Sequence, residues 1–155
     1  MSWNAFLDEV RTAAQAAAGL PDGAVSVYQQ QDLLELVDNA IASHHCAVLV
    51  GLTGGRANPD RQTATKWVGM TLEIEVWTAK VLMSGQTLTS LTVAEYLISG
   101  MHGWRPADVP AANGGTRVPS FRSLTLRPER EPQSGAEYLV ANLQFEVPLV
   151  PQPLP

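Results

Sequence analysis

The sequence predicts an α+β fold in which about three helices pack on a mostly antiparallel sheet. Three stretches repeat apolar residues at the spacing of one helix face, and another alternates apolar and polar residues as a half-buried strand does. The chain has 155 residues, of which 45% are hydrophobic. This suffices for one core and leaves little room for a second. We therefore predict a single domain, residues 1–155.

The three predicted helices come from three apolar stripes. Residues 3–18 form the first stripe, and Ser2 stands where an N-cap is needed. The second follows Asp32, a capping residue type, and extends to about Ser43. The third covers residues 91–101 and ends at glycines. Each helix therefore has one face for a sheet or another helix.

Five strands complete the predicted fold. Residues 24–28 form a short strand, and the apolar run at 46–50 predicts a strand that is covered on both faces and lies inside the sheet. Residues 68–77 alternate most regularly, with Glu residues on the outer face. Residues 121–127 and 138–147 are expected to form a terminal hairpin.

Long loops and a proline-rich tail separate and end these elements. Residues 51–66 and 104–119 show no periodicity and are rich in Gly, Pro and polar residues, which predicts two long inter-element loops. Residues 147–155 contain Pro148, Pro151 and two further prolines. We expect this tail to be extended and unpaired by its own sheet.

Charge and composition exclude several classes of function. The net charge is −5, the opposite of the basic excess that nucleic-acid binders use, so no sequence-specific nucleic-acid partner is expected. Cys46 is the one cysteine, which excludes a disulfide framework. No signal peptide or membrane-spanning run is present in the sequence. We expect a soluble, cytoplasmic protein with no membrane partner.

No catalytic, cofactor or metal site is predicted. Residues 50–56 are glycine-rich after a strand, but they lack the Lys-Ser/Thr of a phosphate loop. His44, His45 and Cys46 are ligand types, yet neighbouring residues on a strand point to opposite faces, and His102 would have to complete a site from elsewhere. These residues are better explained as a helix C-terminus and a core cysteine. We therefore expect no enzyme.

The outer face of the acidic strand is predicted to be a subunit contact. Trp67 and Trp77 lie on that face and exposed tryptophans are typical of interfaces. Between Arg105 and Arg130 five Arg stand against two Asp and Glu, so a basic patch is expected as well. The alternatives are simple solvation of these charges and, for the tryptophans, a cover formed by a bulge or a loop. The candidate interface comprises Trp67, Glu73, Glu75, Trp77, Trp104, Arg117, Arg122, Arg127, Pro148 and Pro151.

The order and texture of the elements resemble a known family. Two helices lead to the strand AVLVG at 47–51, and a long loop leads to the acidic strand MTLEIEVW at 70–77. A helix at 90–101 and the strand YLVANLQFEV at 138–147 follow. This arrangement is similar to the tail-terminator and tail-completion proteins of long-tailed bacteriophages and phage tail-like particles.

The resemblance implies a structural function in virion assembly. Members form a ring, commonly a hexamer, that caps the tail tube, ends tail polymerisation and joins the tail to the head. The implied partners are further copies of the chain, the tail tube protein, the sheath protein of a contractile tail and a head-completion protein. The implied location is the virion tail, after assembly in the host cytoplasm. Another head-tail connector subunit, or a small-ligand-binding or enzymatic α+β domain, remains the alternative.

Overall fold

The chain folds into three helices and five strands. A computed structural model describes residues 2–28, 32–57, 68–80, 88–106, 117–132 and 134–150. The elements are α1 (Trp3–Ala18), β1 (Val25–Val27), α2 (Leu33–His44), β2 (Ala47–Ala57), β3 (Val68–Ala79), α3 (Ser90–Met101), β4 (Ser120–Arg130) and β5 (Glu137–Leu149). The predicted α+β class is confirmed.

The five strands form one sheet in the order β1-β2-β3-β5-β4. The β1–β2 pair is parallel, and the other three pairs are antiparallel. Helices α1 and α3 pack on one face of the sheet and build the main core, whereas α2 covers part of the opposite face. This second cover explains why the run at 46–50 is apolar on both faces.

Local side-chain chemistry starts the helices where the sequence predicts. The Ser2 hydroxyl accepts a hydrogen bond from the Ala5 N–H at 3.2 Å, and the Asp32 carboxylate accepts from the Leu34 N–H at 3.1 Å. Gly19 adopts φ +61° and ends α1 in the left-handed conformation that glycine tolerates. These contacts satisfy backbone groups that a helix end leaves without a partner.

The predicted loop at 51–66 is wrong in its first part. Strand β2 continues through Ala57 and pairs with β3 along its whole length. A Cβ at Gly55 would meet the Val68 side chain at 2.9 Å, so this glycine allows close packing rather than a turn. Residues 58–66 of the predicted loop, and 107–116 of the second one, lie outside the described residues.

The predicted unpaired tail is also wrong at its start. Pro148 and Leu149 belong to β5 and pair with Gly69 and Val68 of β3. Strand β4 begins at Ser120, which pairs with Glu146 of β5. At Pro148, two residues further on, β3 is therefore the one strand beside β5. A proline fits there because its missing N–H is on the side without a strand. Leu149 is buried in the main core, and residues 151–155 lie outside the described residues.

Candidate functional site

The structure divides the predicted interface residues into two groups. One group lies on the sheet face that α2 partly covers and contains Glu73, Glu75, Trp77, Arg122 and Arg127. The other lies at the end of the sheet where β5 ends and contains Trp104, Arg117 and Pro148. Trp67 and Pro151 lie outside the described residues.

Trp77 is buried, and its expected outward contact is wrong. Its side chain does point away from the main core, but α2 covers it through Val37 and Ala40, and only 3% of the residue is exposed. The Tyr138 ring packs edge-on against the indole at 5.6 Å between centroids. Trp77 therefore belongs to a second apolar cluster between the sheet and α2.

Glu75 and Arg127 are engaged inside the chain. The Trp77 indole N–H donates to Glu75 Oε2 at 2.9 Å, and Arg127 Nη2 lies 3.2 Å from the same oxygen. Arg127 also binds Glu129 at 2.9 Å and places its guanidinium 6.0 Å from the Trp77 ring centre. The Glu75–Arg127 ion pair spans β5 and links β3 to β4. The charges of Glu75 and Arg127 are therefore already paired before any partner binds.

Glu73 lies on the same face and is half-buried. The Gln144 amide lies 3.5 Å from its carboxylate, at the limit of a hydrogen bond. Burial, together with the neighbouring Glu75, raises the pKa of the Glu73 carboxyl. The outer face of β3 is therefore acidic, as the sequence predicts, but only partly open to solvent.

The arginines of the predicted basic patch on β4 lie beside carboxylates of the chain itself. Arg122 binds Glu146 at 3.3 Å, and Arg130 lies 3.9 Å from Glu137. Arg127 pairs with two carboxylates, as described above. Each arginine of β4 therefore has a carboxylate of the chain within 4 Å, from β5 for Arg122 and Arg130 and from β3 and β4 for Arg127. The expected basic patch is paired within the chain rather than free, while the Arg122 and Arg130 side chains stay exposed.

A hollow on the same sheet face was not predicted from the sequence. It has a volume of about 520 Å³ and is lined by Gly55, Arg56, Gly69, Thr71, Arg122, Gln144, Phe145 and Glu146. Arg56 and Arg122 converge on the Glu146 carboxylate at 2.8 and 3.3 Å. Arg56 and Glu146 are 90 residues apart, so only the strand register brings them together.

The second group gathers at the end of the sheet. The Arg117 N–H donates to the Pro148 carbonyl at 2.8 Å, with Arg117 at φ +61°. The Gly103 N–H donates to the Pro119 carbonyl at 2.8 Å, which places Trp104 nearby and half-buried against the main core. Three of the predicted interface residues thus lie around one end of the sheet.

The residues considered above as metal ligand types lie apart or are engaged. Burial raises the pKa of the Cys46 thiol to about 12. His102 Nδ1 accepts a hydrogen bond from the Phe121 N–H at 3.0 Å. Among the described residues, no three His, Cys, Asp or Glu side chains are grouped to hold a metal ion. In the same part of the chain, every helix is too short or too polar to cross a membrane.

Comparison with protein-family models and with curated proteins finds no match for this chain. The resemblance to tail terminators therefore stays a prediction from element order and strand pattern.

Ionisation of Tyr138 is expected to weaken the attachment of α2. Its hydroxyl donates to Asp38 of α2 at 2.7 Å, and burial, followed by this hydrogen bond, raises its pKa to about 12. Because the folded-state pKa lies above the ordinary value of about 10, the stabilisation is complete below pH 10 and is lost as the pH rises towards 12.

Denaturant unfolding between pH 8 and 12 measures this effect, with Tyr138→Phe as the matched variant. The Phe variant should be less stable at pH 8 and should lose less stability above pH 10. An equal loss in both proteins would show that another group titrates.

Proposed function

We propose that this chain is a structural subunit that assembles into a homohexameric ring at the end of a phage tail tube. In this function the ring ends tail polymerisation, contacts the tube and, in a contractile tail, the sheath, and offers the surface for head joining. The subunit assembles in the host cytoplasm and resides in the virion tail. The proposal is founded on the resemblance in element order described above.

The observation that supports the proposal most is the gathering of Trp104, Arg117 and Pro148 at one end of the sheet. These residues come from three separate parts of the chain and meet through the backbone bonds of Arg117 and Gly103. Next to Pro148, Val150 is exposed, and its carbonyl accepts from the Trp3 indole at 3.3 Å. Aromatic and arginine side chains beside exposed apolar surface are typical of subunit contacts.

A ring also needs a second, unlike face, and helix α2 supplies one. Residues 1–46 contain six Asp and Glu and one Arg, a net charge of −5. This equals the net charge of the whole chain. Asp32, Glu35 and Asp38 are exposed on α2, near the opposite end of β3 from Arg117. Head-to-tail contact between an arginine-containing end and an acidic helix joins two different faces, as ring closure requires.

Charge reversal at the sheet end tests this contact. Arg117→Glu is expected to weaken ring formation, most strongly at low salt, because it would face the acidic α2 of the neighbour. Light scattering and negative-stain images of the purified chain measure assembly. The unchanged chain should reach the mass of six 16.7 kDa subunits.

Arg11→Glu is the matched control, because Arg11 is a partly exposed cation on α1, on the sheet face opposite α2. It should leave assembly unchanged, and thermal melting should show that both variants remain folded. A chain that stays smaller than a ring at high concentration, alone and with tail tubes, would contradict the proposed function.

A further inference from the structure

Strand β4 forms an open edge of the sheet. Among the described residues it pairs only with β5. It is 11 residues long, whereas β1 at the opposite edge has three residues. An open strand of this length presents a row of backbone donors and acceptors to which another strand can add. Natural proteins usually shorten, charge or cover such edges, so the side chains on this one decide what it can bind.

The hydrogen-bond pattern shows which backbone groups face outward. The Glu131 N–H donates to the Ala136 carbonyl at 2.9 Å, and antiparallel pairs alternate along a ladder. Counting back from Glu131, every second residue directs its backbone N–H and C=O groups to β5, and Thr125 belongs to this series. Leu124 and Leu126 belong to the other series, whose backbone groups point to the open edge. Pro128 falls in the outward-facing series, where its missing N–H leaves no gap in the β4–β5 ladder.

The same two leucines also expose their side chains. Leu124 pairs with Leu143 and Leu126 with Ala141, so both side chains lie on the face of the main core. They are nevertheless 36% and 46% exposed.

Helix α3 adds to the apolar surface beside them. Leu91 and Ile98 lie on one stripe with His102, which contacts the start of β4. The opposite flank of the helix, at Gly100, faces Ala17 of α1. On this stripe Leu91 is exposed and Ile98 is half-buried against the main core.

We infer that β4 pairs with β4 of a second copy of this chain, antiparallel about a two-fold axis at Thr125. In this register Leu124 of each copy lies opposite Leu126 of the other, and their outward N–H and C=O groups form four backbone hydrogen bonds. The segment Ser-Leu-Thr-Leu-Arg at 123–127 is nearly the same in both directions. The contact therefore brings four leucines together on one face, as a self-complementary interface requires.

Charge placement favours the same occupant. In this register Arg127 lies opposite Ser123 of the other copy, so no two like charges face each other directly. Arg122 of each copy lies opposite Pro128 of the other, near the β-bulge between Phe121 and Ser123. Arg127 and Glu129 flank that proline and pair with each other, so the two-fold contact sets no unpaired like charges against each other.

This contact is independent of the proposed ring. Two like faces close a dimer and cannot propagate around a ring, so the pairing joins two free subunits or one subunit from each of two rings. Failure of one proposal therefore leaves the other standing. A monomer that adds a strand of a different protein at this edge is the competing outcome.

Cysteine cross-linking of the full chain tests the register. In the proposed register, residue 125 of one copy lies opposite residue 125 of the other, and the two do not hydrogen-bond to each other. In such a pair the Cα atoms are about 4.5 Å apart, which is close enough for a disulfide. Thr125→Cys should give a covalent dimer on mild oxidation. Ser123→Cys is the matched control, since its copies are offset by four residues and should cross-link far less. Cys46 is buried and does not compete.

Sedimentation equilibrium tests the affinity. Leu126→Lys should raise the dimer dissociation constant about a hundredfold, because the change occurs twice in the interface at roughly tenfold each. Leu34→Lys, at an exposed leucine on α2, should leave this constant unchanged. A chain without dimers at any concentration, or equal cross-linking from positions 123 and 125, would overturn the inference.

Discussion

Replacing Trp77 by Ala is expected to lower the free energy of unfolding by about 3–5 kcal/mol, the range for loss of a buried large aromatic side chain. The indole fills the space between β3 and α2, contacts the Tyr138 ring and donates a hydrogen bond to Glu75. Its removal leaves a cavity under α2 and leaves the Glu75 carboxylate without its indole donor. Both effects loosen the second apolar cluster, so α2 should detach before the main core unfolds.

Chemical denaturation measures the loss, and hydrogen exchange shows where it occurs. Protection should fall in α2 more than in α1, which packs on the opposite sheet face. Leu34→Ala, at an exposed position of α2, is the control and should change stability by less than about 0.5 kcal/mol. A Trp77→Ala protein as stable as the unchanged chain would mean that the indole is exposed, as the sequence alone predicts.

Replacing Gly100 by Ala is expected to destabilise the protein by about 1–3 kcal/mol, although alanine is the better helix former. An ideal Cβ at Gly100 would overlap the Cβ of Ala17, because α1 and α3 cross closely at this point. The backbone of one helix must shift to admit a methyl group, and this shift propagates into the main core. The sign of the change separates a tight crossing from an ordinary exposed helix position.

A second substitution supplies the matched test. Ala17→Gly removes the methyl group that Gly100→Ala would strike, so the double variant should recover part of the lost stability. Ala17→Gly alone should cost about 1 kcal/mol in helix propensity. If Gly100→Ala stabilises the protein, or if the two changes are simply additive, the helices do not meet as closely as described.

The departures from prediction have a common origin in contacts between distant parts of the chain. The alternation at 68–77 shows that Trp77 faces away from the main core, but it holds no information about α2 lying over that face. Glu75 and Arg127 each look like free surface charges, and 52 residues separate them in sequence. Strand register pairs them, and no local pattern encodes that register.

The sequence by itself determined the three helices, the N-caps of the first two, the five strands and the α+β class. These features depend on residues within a few positions of one another, through helical and strand periodicity and capping hydrogen bonds. Only the tertiary structure decided that β2 extends through its glycines, that Pro148 stays in β5 and that β4 remains an open edge with exposed Leu126. Each depends on which strand or helix lies alongside, and so on the packing of the whole chain.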